Sequence, residues 1–312
     1  MKNLQTFCFL LLVVAATSSF AQDRFIDCRK FDSSITIVID GDGGDWPLTS
    51  YGSPALLDSD LNVIRGDHFI IDPETANYDN QDNTNAYEGP EDIDATTYIG
   101  WDDEAFFVLN IVTDDKIGFE HANADTIDAD GYLTGASTGW TNDGIEFWLD
   151  NDNNREPPNI QDDQTSPNDL QFNVLIDDAL QRLDYPDIDE FDIGMTPNYT
   201  FQYKEIFRCG ADFNDGGDLE YETLDTIETA TIIDEDRKGY TMEIRIPWGT
   251  FYEFNPDAPI GFSISWTDWD DGEFSHWIWH GTVDAQTSDY KEMRFTSDNP
   301  LGGVSISTWS IY

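Results

Sequence analysis

The chain has 312 residues with 63 acidic and 15 basic side chains, so its formal net charge at pH 7 is −48. A charge of this sign and size repels a phosphate backbone, which excludes nucleic acid as a partner. Aromatic residues make up 14% of the chain and apolar residues 39%, enough for a hydrophobic core, so the composition also argues against disorder.

The first 21 residues have the pattern of a secretory signal peptide. Lys2 precedes the apolar run FCFLLLVVAA, and small residues lead up to a cleavage site after Ala21. The run is too short to span a bilayer, and no later segment reaches transmembrane length. The sequence therefore predicts that residues 22–312 form one domain that is secreted, periplasmic or at the cell surface, without membrane insertion.

Segments with period-two alternation of apolar and polar residues follow one another along the chain, and no segment keeps a helical period. EAFFVLNIVTD is apolar on both faces, which is typical of a strand in the middle of a sheet. The pattern predicts an all-β fold, a single antiparallel β-sandwich of the immunoglobulin or jelly-roll kind, with long acidic loops that include insertions at 50–92 and 115–140. The predicted strands are, in chain order, ITIVID, TTYIGWD, EAFFVLNIVTD, GIEFWLD, LQFNVLID, FQYKEIF, YTMEIRIPW, GFSISWTDWD, FSHWIWHG, KEMRFTS and GVSIST.

Three acidic turns offer alternating oxygen ligands of the kind that calcium prefers. Bound cations commonly moderate a large negative charge on a secreted domain, so we expect structural calcium. For each turn, a solvated acidic loop is the alternative. The candidate ligands are Asp40, Asp42 and Asp45 in DGDGGDW, Asp150 and Asp152 in DNDNN, and Asp268 and Asp270 in DWDDGE.

Two cysteines follow the signal peptide, Cys28 and Cys209. In an oxidising compartment, such a pair can form one disulfide, which would tie the amino-terminal segment to the middle of the chain. Two free buried thiols are the alternative.

Alternation also predicts which side chains three of the strands turn away from the core. In GIEFWLD, the apolar set leaves Glu146 and Trp148 on the other face. If the three strands are neighbours, one face of the sheet combines a carboxylate, amides, hydroxyls and indoles, which together suit a sugar. For any single tryptophan, a place in the core is the alternative. The other outward positions are Gln171 and Asn173 in LQFNVLID, and Ser265, Thr267 and Trp269 in GFSISWTDWD.

Catalytic signatures are missing from the sequence. The four histidines lack a zinc-binding spacing such as His-Glu-x-x-His, and there is no Gly-x-Ser-x-Gly elbow. A glycosidase needs two carboxylates at a defined separation, and nothing among 63 acidic residues singles out such a pair. We therefore do not expect an enzyme.

Five segments resemble, in the same order, the motifs of the family 9 carbohydrate-binding modules and their DOMON-like relatives. They are ITIVIDGDGGDW, ATTYIGWDDEAFFVLNIVTDD, GWTNDGIEFWLD, GYTMEIRIPW and GFSISWTDWDD, and they cover the chain from Ile35 onward. The resemblance implies a β-sandwich, structural calcium and, in sugar-binding members, a slot between two tryptophans that holds the end of a glycan chain.

The resemblance also implies particular site residues. Trp140 falls on the first stacking tryptophan, and Glu146 falls on the carboxylate that holds sugar hydroxyls. Asn173 stands where sugar-binding members have an arginine, and Ser265 where they have a glutamine. Both side chains are shorter, and the first lacks the charge.

No tryptophan stands where the second stacking residue of the family is expected, in GTVDAQTS. Trp279 or Trp277, on the preceding strand, is the substitute that we expect. The sequence thus predicts a non-catalytic protein that binds a polysaccharide or oligosaccharide. An extracellular structural or adhesive domain without the sugar slot is the alternative, and a glycoside hydrolase is the lesser one.

Overall fold

The computed structural model is built from β-strands, and the 3-10 helix Leu48–Ser50 is the one helix among the residues that it describes. The all-β prediction is confirmed. In the described part of the chain, no helix has the length and apolar character needed to cross a membrane. The described residues are 25–57, 63–71, 79–81, 92–115, 117, 143–150, 153, 169–175, 203–208, 227–234, 238–248, 256–270, 273–279 and 290–302.

Fifteen strands are assigned in these residues. Most of the longer ones coincide with segments whose alternation predicts a strand. In chain order they are β1 (Ile26–Phe31), β2 (Leu56–Leu57), β3 (Val63–Ile64), β4 (His68–Ile70), β5 (Asp79–Gln81), β6 (Ile93–Trp101), β7 (Ala105–Asp114), β8 (Gly144–Asp150), β9 (Asp169–Leu175), β10 (Tyr203–Arg208), β11 (Glu228–Ile233), β12 (Gly239–Pro247), β13 (Ile260–Asp270), β14 (Glu273–Ile278) and β15 (Lys291–Leu301).

Thirteen of these strands form one continuous sheet that curls around a common core. The main path runs β10-β9-β8-β13-β15-β1-β6-β7-β12-β11, while β14 pairs with β13 and β5, and β4 pairs with β6. The two halves of the path face each other, because the Trp266 indole N–H on β13 contacts Thr97 Oγ1 at 3.0 Å and Asn110 Oδ1 at 3.1 Å on the opposite half. The arrangement is that of a sandwich made from one curled sheet.

The alternation pattern predicts a wholly antiparallel sheet, but the observed sheet also contains parallel strand pairs. Strand β1 pairs in parallel with β15 on one side and with β6 on the other. Parallel pairing needs strands that lie far apart in the chain, and β1 meets this condition because Ile26 stands opposite Met293. In the described part of the sheet, β1 joins the two halves.

The segment ITIVID, residues 35–40, is not a strand, contrary to the prediction. Two of its backbone N–H groups donate to side chains and not to a neighbouring strand, since Val38 N donates to Asp45 Oδ2 at 2.6 Å and Asp40 N donates to Glu243 Oε2 at 2.9 Å. Its isoleucines pack on the outer face of β7 in a second apolar cluster. The apolar alternation of this segment therefore reflects packing on a sheet, without membership in it.

Three further strand expectations have different outcomes. Strand β7 is central and largely buried on both faces, which confirms the interpretation of EAFFVLNIVTD. The insertion at 50–92 contains the short strands β2 to β5, so it is more ordered than a plain loop. GVSIST lies outside the described residues.

The buried carboxylate of Glu243 on β12 holds the amino-terminal loop in place. Its Oε2 accepts N–H groups of Asp40 and Gly41, at 2.9 and 2.6 Å, and its Oε1 accepts the Trp46 indole N–H at 2.7 Å. Burial raises the pKa of Glu243, while these N–H donors act to lower it. One side chain thus links the segments IDGDGGDW and GYTMEIRIPW, which lie about two hundred residues apart.

Among the described residues, Cys28 has a free thiol. The side chain of Cys28 is 0% exposed and packs in the main core from β1, and burial raises the pKa of the thiol. Its predicted partner Cys209 lies outside the described residues, so the disulfide stays a prediction.

Candidate functional site

Strands β9, β8 and β13 are direct neighbours, as the sugar-binding interpretation requires. Their register places Asn173 opposite Glu146 and Glu146 opposite Ser265. Residues directly opposite in adjacent strands lie on the same face of a sheet. The three positions that the family resemblance assigns to polar sugar contacts therefore form one row, which we call the polar row.

The polar row continues along both strands. Two residues after Glu146, Trp148 stands between Gln171 and Ser263. Two residues before Glu146, Gly144 stands opposite Thr267. Alternation in the sequence identifies the members of this face correctly, because a strand has a period of two residues.

Exposure of the face differs from the expectation. Glu146, Trp148, Ser265 and Thr267 are each at most 1% exposed. All seven residues of β8 are buried, so this central strand is covered on both faces. Because alternation reports only which side chains share a face, it does not reveal whether other parts of the chain cover that face. The expected wet platform is instead a buried polar layer.

Trp279 belongs to the hydrophobic core, which corrects its assignment as a substitute stacking residue. The ring is 0% exposed, and its centroid lies 5.1 Å from that of Phe69 in an edge-on contact. The indole N–H donates to the carbonyl of Ala55 at 3.3 Å. Trp277, the other candidate, is also buried in the core, at 5% exposure.

The remaining predicted sugar contacts are only partly described. Trp140 lies outside the described residues, and for Asn173 and Trp269 the structure describes the backbone in β9 and β13. The stacking role of Trp140 stays a prediction.

Three buried carboxylates converge where β7 ends, β8 begins and β13 approaches its end. One ligand oxygen from each of Asp114, Asp143 and Asp268 lies within 4.8 Å of the others. The three residues are 1%, 0% and 0% exposed. We call this group the aspartate cluster. Like charges at this spacing in a low-dielectric interior repel one another unless a proton or a cation intervenes.

The aspartate cluster influences its surroundings electrostatically. Burial raises the pKa of Tyr240 well above its usual value, and the charges of the three aspartates raise it further. Carboxylate oxygens at this spacing are the donor set that calcium accepts. The residues of the cluster therefore fit the metal that the family resemblance implies.

Sequence reasoning found one of the three members, Asp268, and missed Asp114 and Asp143. A usable signal was present, because Asp114 ends the motif segment EAFFVLNIVTDD and Asp143 precedes the strand in GWTNDGIEFWLD. Asp114 lies in the half of the sheet that faces β8 and β13, so the three aspartates meet only because these strand ends come together when the sheet curls, and no local sequence pattern specifies this.

Among the described residues, the carboxylates of the turn DGDGGDW do not form a group of three within metal-ligand distance, and the assignment of this turn as a calcium site stays a prediction. Asp40 Oδ1 accepts the N–H of Asp42 at 3.2 Å, and Asp42 Oδ1 accepts the N–H of Gly44 at 2.6 Å. Asp45 caps the Val38 N–H. These carboxylates stabilise the turn itself, and among the described residues only the aspartate cluster brings three together.

The other two predicted calcium turns, DNDNN and DWDDGE, are only partly covered by the described residues. Asp150 is 0% exposed at the end of β8, opposite Gly261. Asp152 lies outside the described residues, and only the backbone of Asp270 is described. These ligand assignments stay predictions.

Comparison with known proteins gives one family match. Residues 70–182 match the model of the family described as carbohydrate family 9 binding domain-like. This segment contains Asp114, Asp143, Glu146 and Asn173. Among curated proteins, the search finds no match.

Two similar solved structures are of a carbohydrate-binding module family 9 from Caldicellulosiruptor kristjanssonii. The complex with cellotriose is 16% identical, with a TM-score of 0.47 over 89% of this chain and 98% of the other. The complex with glucose is 15% identical, with a TM-score of 0.46 over 87% and 96%. The resemblance inferred from the motifs is confirmed by the family match, which covers residues 70–182.

Proposed function

We propose that this protein is a secreted, non-catalytic protein that binds a neutral polysaccharide or oligosaccharide. The observation that carries the proposal is the polar row, in which Asn173, Glu146 and Ser265 stand side by side within or next to the family segment. The modules of this family bind carbohydrate and are non-catalytic, which supports a binding role over an enzymatic one.

In this proposal the polar row binds hydroxyl groups and Trp140 stacks on the sugar ring. The carboxylate of Glu146 accepts hydrogen bonds from two adjacent hydroxyls, while Asn173 and Ser265 complete the contacts. Because Glu146 is buried, each charge-assisted hydrogen bond is worth more there than in water, about 1.5 to 3 kcal/mol. The sugar would enter from the end of β8 that follows Trp140.

Calcium, in the same proposal, is held by the aspartate cluster. Asp114 and Asp143 are the last and first residues around the segment 115–142, which carries Trp140. A cation bound to both would tie the two ends of this segment together, with Asp268 as a third ligand. Calcium would supply charge neutralisation and rigidity, while the chemistry of sugar recognition stays with Glu146 and Trp140.

One observation favours the second candidate, an extracellular structural or adhesive domain. Glu146 and Ser265 are covered, and Trp279 is part of the core, so the described residues lack an open slot between two tryptophans. A domain of this kind would keep the calcium and the fold and would bind no glycan. A glycoside hydrolase remains the lesser candidate.

Binding measurements separate these candidates. Isothermal titration with cello- and xylo-oligosaccharides should show binding by the wild type. Glu146→Gln should weaken it about tenfold, because one of the charge-assisted hydrogen bonds is replaced by a weaker one. Trp140→Ala should weaken it by a similar factor and leave the melting temperature nearly unchanged.

The matched control is Asp298→Asn, which makes a similar change of charge at an exposed position at the end of β15. It should bind like the wild type. Absence of binding to any glycan by the folded wild type would favour the adhesive domain, and steady release of reducing sugar would favour the hydrolase.

A further inference from the structure

Trp248 is fixed at the end of β12, and its ring lies partly at the surface. Its backbone N–H donates to the carbonyl of Glu104 at 3.0 Å, and its indole N–H donates to the carbonyl of Asp102 at 2.9 Å. Both acceptors belong to the tight turn between β6 and β7. Two hydrogen bonds to one turn leave the indole little freedom to rotate.

Two further aromatic rings pack edge-on against Trp248. Trp101 lies 6.3 Å from it between ring centroids and Phe295 lies 5.7 Å from it, at interplanar angles of 65° and 88°. Trp101 is 7% exposed, whereas Phe295, like Trp248, is only partly buried. Edge-to-face packing of this kind holds the rings at fixed angles. The surface part of the group is therefore rigid and apolar.

Charged groups of both signs surround these rings. The side chains of Asp103 and Glu104 are 82% and 81% exposed. Lys30 contacts Asp103 and lies 5.0 Å above the Trp101 ring, while Arg245 Nη2 lies 3.4 Å from Glu104 Oε2. Hydrogen-bond donors and acceptors thus lie near this apolar group. We call Trp248, Phe295 and these four charged residues the indole patch.

We propose that the indole patch is a second contact site for a neutral glycan, distinct from the polar row. A rigid indole offers a stacking surface to the C–H face of a sugar, and the carboxylates and cations around it can bind the hydroxyls at the edge of the ring. A protein partner fits less well, because acidic residues are depleted at the centre of protein interfaces. A net charge of −48 disfavours acidic polysaccharides. The inference rests on the proposed carbohydrate-binding function.

The indole patch and the aspartate cluster lie at opposite ends of β7. Ala105, at the start of β7, pairs with Pro247, next to Trp248, whereas Asp114 ends the same strand. Nine residue steps along a strand span about 30 Å. Glu146 of the polar row lies three residues after Asp143 of this cluster, so the distance between the polar row and the indole patch is of the same order. Only a long glycan chain can contact both sites, and occupation of one then raises the effective concentration at the other. A trisaccharide is too short to do so.

The test compares a long soluble β-glucan with cellotriose as probes, using affinity electrophoresis and titration. Trp248→Ala should weaken binding of the long β-glucan about tenfold and leave cellotriose binding at the polar row unchanged. Because Trp248→Ala removes part of the core packing, the double variant Asp103→Asn, Glu104→Gln tests the same patch through two exposed side chains. It should weaken long-chain binding about threefold, with an unchanged melting temperature.

Asp298→Asn serves as the control and should bind both probes like the wild type. If the wild type binds the long β-glucan, and both the folded Trp248→Ala protein and the double variant bind it equally well, the indole patch is not a glycan site. That outcome leaves the polar row intact as a binding site. If the folded wild type binds neither probe, the proposed function fails first, and the second site fails with it.

Discussion

At the scale of single residues, Glu243 shows how one buried polar group can organise a long loop. It is 0% exposed on β12, and its two oxygens accept three N–H groups from the segment 40–46. A buried carboxylate is costly unless it is fully hydrogen-bonded, and this one is bonded only when the loop is in place. The position of the loop 40–46 therefore depends on the carboxylate at position 243, and burial of this carboxylate depends on the loop.

Glu243→Gln should lower the free energy of unfolding by about 2 to 3 kcal/mol, because either orientation of the amide turns an NH2 group toward backbone or indole N–H donors. Urea denaturation measures the change. Glu228→Gln on the neighbouring strand β11, where the side chain is 57% exposed, is the matched control and should change stability little. Equal stability of the two variants would contradict the structural role of Glu243.

At the scale of secondary-structure elements, β1 joins the two halves of the sheet, and a buried ionic network fixes its position. Arg29 Nη1 lies 3.0 Å from Asp67 Oδ2, and Arg29 also donates through Nε and Nη2 to the carbonyl of Asn299. Both charged side chains are less than 10% exposed. The network thus connects β1 to the chain before β4 and to the end of β15.

The pKa of Asp67 predicts how this network responds to acid. Burial alone would raise the pKa, but hydrogen bonds from His68, the Gly52 N–H and Arg29 outweigh burial and hold it below the ordinary 3.8. A carboxyl group with a lowered pKa stabilises the fold above its unfolded pKa, and this stabilisation is lost as the pH falls through the folded value. Stability should therefore decline in the acid range below the ordinary 3.8.

Asp67→Asn should lower the free energy of unfolding by about 3 kcal/mol at neutral pH, because Arg29 is left buried without its counter-ion. The difference from wild type should shrink as the pH falls below the ordinary pKa of Asp67, since the wild-type carboxyl is then neutral as well. Thermal unfolding at a series of pH values measures both effects. A difference that is constant across the series would show that the charge of Asp67 is not what stabilises β1.

At the scale of the whole molecule, the net charge of −48 leads us to expect that folding depends on cations. A compact domain with such an excess of carboxylates repels itself, and dissolved salt screens the exposed charges but screens buried ones much less. The aspartate cluster is buried, so its repulsion is the part that salt relieves least. We therefore expect a specifically bound cation to neutralise the carboxylates of the aspartate cluster.

Chelation should therefore destabilise the protein even at moderate salt concentration. If free calcium exceeds its dissociation constant a hundredfold, its removal costs about 2.7 kcal/mol of unfolding free energy. Asp143→Asn should abolish most of the calcium response in thermal unfolding, while Asp42→Asn, in the exposed turn, should retain it. A wild-type melting temperature that chelator does not change would contradict calcium binding.

Much of the fold and part of the site can be predicted from local pattern. Alternation identifies most long strands, and it assigns Glu146 and Trp148 to one face, because a strand repeats every two residues whatever surrounds it. The strand prediction for ITIVID is wrong, because alternating isoleucines that pack against the face of a sheet give the same sequence pattern as a strand that belongs to the sheet. Burial of Glu146 depends on what covers the strand, which local pattern does not contain.

The sequence by itself determines the all-β class, the order of the family motifs, and which side chains within each of β8, β9 and β13 share a face, since each follows from residues close together in the chain. Only the tertiary structure decides that β9, β8 and β13 are neighbours, that β1 joins the two halves of the sheet by parallel pairing, that Trp279 is core, and that Asp114, Asp143 and Asp268 converge. These features arise from contacts between residues separated by tens to hundreds of positions. Such contacts depend on which strand ends meet when the sheet curls, and no local periodicity encodes that.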